Sequence, residues 1–404
     1  MNLFFKKLIT VVMISIILLN VGCSMNRNEI AQQTSNNTAT ISSVEELAKD
    51  PEDVSADISV QDLVESLEIS VPLAMDQHQI PGAAIAVIER GEVVWSKGFG
   101  FADVENKIKV DETSLFQVAS NSKPVTAWGV LKLVEEGKLD LNAPVEQYLS
   151  RWQIPNSPLS KEKVTIERLL SHTSGLSLSG YKGYPSGSTF PTLEQSLNGE
   201  NSESTKVALI HEPGSKFQYS GGGYTVLQLL IEEVSQQSFS DFMKEEILIP
   251  LGMNDSLFTY EEKEVHKLSV GYKTNGDPYP VTLYTELAAA GLLTTISDYA
   301  KFVAASVDDK RQGKPVGRNV LTADSLKMMF NPRLNSYGLG YATMKIETVP
   351  ILTHGGNNVG YISNFYINLS NGNGIVLLTN SDNGGKFIDK IAAEAKGWVL
   401  SGEK

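Results

Sequence analysis

Cysteine is almost missing from this chain, with Cys23 the only one among 404 residues. A lone thiol cannot close an internal disulfide, so a disulfide framework is excluded. Positive charge is also scarce: 34 Lys and Arg stand against 47 Asp and Glu, a formal net charge of -13. Binding a polyphosphate, or adhering by charge to anionic lipid, relies on those basic side chains, so no nucleic-acid partner is expected. No G-x-S-x-G occurs, which argues against an α/β-hydrolase. His78, His211 and His266 show no H-E-x-x-H or comparable ligand spacing, so no metal is expected. Gly98-Phe99-Gly100 lacks the third glycine and following helix of a dinucleotide site and reads as a strand end. No cofactor is called for, and no internal repeat is visible. What the chain does have is 41% apolar and 8% aromatic content, ample for a large buried core.

No apolar run near the start is long enough to span a bilayer. Lys6 and Lys7 precede an apolar or small-hydroxyl run over residues 8–19. A spanning helix needs roughly 20 apolar residues and a signal core about 7 to 15, so residues 1–22 read as an export signal. Gly22 before Cys23 is similar to the lipobox of bacterial lipoproteins, where that cysteine is lipidated, although Asn20 stands where the motif prefers Leu, Val or Ile. The two readings are a lipid anchor at Cys23, tethering an extracytoplasmic protein to the cell membrane, and a cleaved signal that releases a secreted one. Residues 23–60 are polar and then acidic, without apolar periodicity, and read as a flexible spacer. The remainder, 61–404, reads as one catalytic body.

That body opens on Leu63, Leu67, Val71 and Leu73, a helix-compatible set stopped by Pro81-Gly82. Strand-like runs at residues 83–89 and 93–101 flank Arg90-Gly91, a hairpin turn. Helices are predicted over 125–136, 225–234 and 387–400, and late strands over 351–353, 361–369 and 375–379.

The chemistry begins at Ser120. If a helix starts there, Lys123 lies one turn on along the same face, and Pro124 falls in the first turn, where its missing N–H is harmless. A serine hydroxyl needs an adjacent base, and a desolvated lysine can supply one. S-x-x-K alone is weak, because Ser160, Ser179 and Ser401 also have lysine three residues on. Those three lie in a charged run, a Gly-rich loop and the C-terminus, where solvated lysines explain them, whereas Ser120 follows an apolar stretch. Tyr219, in Gln218-Tyr219-Ser220-Gly221, is either a packed loop aromatic or a hydroxyl delivered to the site. His354-Gly355-Gly356 ends a short strand.

S-x-x-K, then Tyr-Ser-x, then His-x-Gly, in that order, resembles the serine beta-lactamase and penicillin-binding protein superfamily. The likeness is greatest to its class C-type branch of beta-lactamases, D-peptidases and esterases. Residues 169–176, 250–253 and 290–295 are similar too, and the likeness runs over about 63–400. It implies an α/β (α+β) fold in which an antiparallel sheet is flanked by N- and C-terminal helices and carries an inserted, mainly helical domain. It further implies Ser120 as acylated nucleophile, Lys123 as activator, Tyr219 as general acid/base and His354 in place of the lysine of K-T-G. Backbone N–H groups of Ser120 and Asn357 would form the oxyanion hole, and Gly221, Gly355 and Gly356 would border the substrate. Whether Lys123 or Tyr219 takes the first proton stays open. His172, in Ser171-His172-Thr173, reads as a hydrogen-bonded structural residue.

The implied activity is that of an exported penicillin-binding D-amino-acid peptidase or carboxypeptidase, or a small-ester hydrolase. The alternatives are a beta-lactamase and a non-catalytic receptor for peptidoglycan or antibiotic. Gly221 stands where the family has asparagine, and His354 offers a weaker, pH-dependent charge than lysine. Both changes predict ester hydrolysis ahead of beta-lactam hydrolysis.

Overall fold

The computed structural model describes residues 58–200 and 206–401. The expected export signal, and the expected spacer through residue 57, lie outside the described residues. Helix α1, Val60–His78, is capped by Ser59, whose hydroxyl accepts the Asp62 N–H while the Asp62 carboxylate reaches back to Ser59. Its inward stripe is Leu63, Leu67, Val71, Ala74 and Met75; Leu73 points out and is 65% exposed. Leu67 and Val71, fully buried, contribute about 1.5–3 kcal/mol each. The helix ends on Gln79 in the left-handed conformation, before the expected Pro81 stop.

Strands β1 (Gly82–Glu89) and β2 (Glu92–Asp103) form the predicted hairpin, with Arg90 and Gly91 both at positive φ as a two-residue turn of this hand requires. A short β3, Ile108–Lys109, adds to β2. The chain then leaves the sheet and returns as β4 (Ala342–Ile346), β5 (Val349–Asn358), β6 (Tyr361–Asn368) and β7 (Gly374–Thr379). The sheet is antiparallel throughout, in the order β3-β2-β1-β7-β6-β5-β4, so the first strand and the last pair in register, Ala83 opposite Thr379. Everything between β3 and β4 is therefore an insertion into one sheet.

Alternation of side chains splits β1 and β7 between two cores. Ala83, Ile85, Val87, Ile375 and Leu377 pack with α1 and the C-terminal helix, while Ala84, Ala86, Ile88, Val376 and Leu378 pack with the inserted helices. With both faces covered, these strands read as unbroken apolar runs. Among the described residues the three longest inserted helices are α2 (Ser122–Glu135), which carries Lys123, α3 (Gly221–Ser235) and α4 (Ile296–Ala304). The C-terminal helix α5 spans Gly384–Leu400. The insertion also holds a small sheet of Phe116–Gln117, Leu292–Thr294 and Leu257–Phe258, strands too short to show a period in sequence.

Candidate active site

Ser120 sits in a single tight turn, Ala119–Asn121, that leads directly into α2. Several elements pin this turn. Val118 donates its N–H to Leu292 O at 3.2 Å, and the Ser122 hydroxyl donates to Ala119 O at 2.6 Å while accepting the Leu292 N–H at 2.9 Å. Asn121 Nδ2 donates to Ser363 Oγ at 2.8 Å, and that hydroxyl donates to Val118 O at 2.8 Å. Ala119 is held at φ 52°, a conformation an alanine adopts only when its surroundings impose it. The result is a rigid presentation of Ser120, half-buried, at the floor of a cleft of about 570 Å³.

Lys123 is almost wholly buried on the first turn of α2, with Pro124 beside it as expected. Its Nζ lies 3.0 Å from Ser120 Oγ and donates to Ala289 O at 2.7 Å. That carbonyl belongs to a short helix, Leu287–Ala290, fixed against α3 by Gln228 Oε1, which accepts the Ala288 N–H at 3.0 Å. The Lys123 amine also faces the Tyr219 ring, 4.9 Å from its centre. Burial without a carboxylate partner pulls Lys123 down to about 7, so a neutral amine is available near neutral pH.

Tyr219 precedes the cap of α3. Ser220 accepts the Gly223 N–H at 2.8 Å, donates its hydroxyl to Ser177 O at 2.7 Å, and donates its N–H to His172 Nδ1 at 3.1 Å. These bonds hold the segment that brings Tyr219 into the same cleft as Ser120, while burial holds the phenol well above the usual tyrosine range. His172 is the structural residue expected, fully buried against Phe217, Tyr219, Tyr224 and Tyr337.

His354, on β5, differs from expectation. The Tyr337 hydroxyl meets its Nε2 at 3.0 Å, and its Nδ1 meets Gly355 O at 2.8 Å. A carbonyl only accepts, so Nδ1 carries the proton and Nε2 accepts from Tyr337. Burial, with the neighbouring Lys123 charge, pushes His354 down to about 3, so the ring is neutral rather than a pH-dependent cation.

Ser120, Lys123, Tyr219, His354, Gly355 and Asn357 all face the cleft. Two glycines expected beside the substrate do not. Gly221 is covered by the loop through Gly180 and Tyr181, so a Cβ there would lie 3.2 Å from Ser179 O and 3.4 Å from Tyr181 Cε2. Gly356 turns away from the cleft onto the Ser120 turn, where any Cβ would collide with Val118 O. Sequence reading missed Tyr337, the Ala289 carbonyl and the wall from Ser179 to Tyr181. Tyr337 and Ala289 carry no motif; Lys182, three residues after Ser179, is exposed as expected, but Ser179 itself lines the cleft.

Comparison with known proteins agrees with this architecture. Protein flp of Staphylococcus aureus (strain COL) is 28% identical over 330 residues, covering 78% of this chain, which spans only 62% of that protein. The PbpX protein of Bacillus subtilis (strain 168) is 29% identical over 326 residues, 79% of this chain and 76% of its own. Among solved structures, the octameric penicillin-binding protein homologue of Pyrococcus abyssi superposes with a TM-score of 0.69 at 27% identity, covering 82% of this chain and 76% of that one. The beta-lactamase family profile matches residues 67–396, which takes in the sheet, the insertion and every residue of the cleft, and the chain belongs to that family.

Proposed function

We propose that this protein hydrolyses esters or D-peptide amides through an acyl-enzyme on Ser120, outside the cytoplasmic membrane. The observation that carries the reading is the contact of Lys123 Nζ with Ser120 Oγ at 3.0 Å, made by an amine whose proton affinity is tuned to about 7. A pure receptor has no physical need for such a base beside a serine.

In the proposed first step, neutral Lys123 takes the Ser120 proton as Oγ bonds to the substrate carbonyl carbon. The developing oxyanion is held by the backbone N–H groups of Ser120 and Asn357. Collapse breaks the bond to the leaving alcohol or amine, which receives the proton from Lys123 through the Tyr219 hydroxyl. Water then attacks the acyl carbon, returns a proton through the same pair and frees Ser120, so ester or amide plus water gives acid plus alcohol or amine. Lys123 is preferred over Tyr219 as first base because a base works best with its pKa near the operating pH, and Tyr219 is displaced upward.

A fluorophosphonate probe tests this. It should label the wild type at Ser120 and fail on Ser120→Ala, whereas undiminished labelling of the variant sinks the assignment. Tyr219→Phe should keep the site but slow acylation by roughly 100- to 10,000-fold. Nitrophenyl butyrate beside nitrocefin separates an esterase from a beta-lactamase, and esters are expected to be turned over more efficiently.

A further inference from the structure

The cleft carries polar groups on a largely apolar wall but has little means of holding a negative charge. Among the described residues that line it there is no arginine, aspartate or glutamate, and Lys123 is the single lysine. That amine is not free for a substrate anion: it is 1% exposed and engaged by both Ser120 Oγ and Ala289 O. His354, the residue standing where K-T-G carries its lysine, has both ring nitrogens occupied in the neutral form, one by Tyr337 and one by Gly355 O. Gly355 next to it has no hydroxyl to offer. What remains around the nucleophile is a neutral hydrogen-bonding set, including Asn335, Ser336, Thr343 and Asn357, with Phe217 and Met344 supplying apolar wall.

Such groups match carbonyls, amides and ester oxygens. A carboxylate leaving water for the same place would lose its hydration and find no charge-assisted partner in exchange. Resting on the acyl-enzyme reading above, we infer that the substrate is uncharged on both sides of the scissile bond: an ester, or a peptide amide whose leaving residue is itself amidated or carries further chain. A terminal D-residue with a free carboxylate is the wrong leaving group for this cleft, which sets the protein apart from a carboxypeptidase and directs it to internal or blocked linkages. Tyr337 is then a specificity-determining residue, because its hydroxyl holds His354 as a neutral acceptor.

The test uses the full chain and one matched pair, N-acetyl-D-alanyl-D-alanine and its C-terminal amide, as competitors against fluorophosphonate labelling of Ser120. The amide should protect at about tenfold lower concentration or better, a difference of about 1.4 kcal/mol. Equal protection by the pair, protection by neither, or stronger protection by the free carboxylate overturns the inference. Labelling of Ser120 in the absence of competitor reports separately on the acyl-enzyme reading.

Discussion

The imidazole of His172 lies against the ring of Tyr219, centroids 4.2 Å apart, while its Nδ1 accepts the N–H of Ser220, the next residue along. One buried side chain thus fixes both the ring and the backbone of the segment that brings a phenol to Ser120. No other bond is made by its Nε2 among the described residues, and Tyr337 packs on its ring at 4.8 Å, so the same imidazole also backs the residue that holds His354.

His172→Phe keeps an aromatic ring in that place and removes only the acceptor. Ser220 N–H would then be buried without a partner, which costs about 1–3 kcal/mol. The expected result is a lower urea midpoint together with slower fluorophosphonate labelling. If stability falls but labelling is unchanged, His172 supports the fold without positioning Tyr219.

Gly356 offers a second handle, on the nucleophile rather than the phenol. Because its Cα faces Val118 O and Ser363 Oγ, Gly356→Ala forces β5 away from the turn that carries Ser120. Overpacking of this kind costs about 1–3 kcal/mol. A loss of labelling rate with the fold retained by circular dichroism is expected. A variant as stable and as reactive as wild type would mean that the strand does not set the Ser120 turn.

Which features were legible in the sequence follows from where their information lies. The hairpin was readable because Arg90-Gly91 interrupts two apolar runs, and S-x-x-K because one helical turn sets its geometry locally. The sequence expectation starts α3 at 225, four residues late; Gly221-Gly222-Gly223 has poor helix propensity, which the Ser220 cap and burial of all three glycines override. Leu73 belongs to the helix-compatible apolar set of the sequence, but the helical period turns it outward and puts Ala74 and Met75 on the buried stripe. Tyr337 and the Ala289 carbonyl could not have been found, because their partners, His354 and Lys123, are 17 and 166 residues away in the chain.

The anchor expected at Cys23 has its own test. Metabolic labelling with a fatty acid should tag the wild type and not Cys23→Ser, which should be released or retained as precursor. Tagging that survives the substitution excludes Cys23 as the attachment point.

The pH dependence follows from Lys123. With its amine at about 7, acylation of Ser120 should rise with pH through that value and level off above it, since only the neutral amine can take the Ser120 proton. His354, pushed down to about 3, stays neutral across this range and adds no limb of its own. Stability has a matching sign. An unfolded lysine titrates near about 10.4, so between about 7 and that value the unfolded chain binds more protons than the folded one. Stability should therefore climb as pH rises through this window and become flat, as far as this group is concerned, below it. Lys123→Met should remove both the rate limb and the stability slope. Acylation by nitrophenyl butyrate, followed from roughly pH 5 to 9, checks the first; urea melts across about pH 7 to 10 check the second. A rate that falls through neutrality as pH rises would require the charged ammonium, and would remove Lys123 from the role of base.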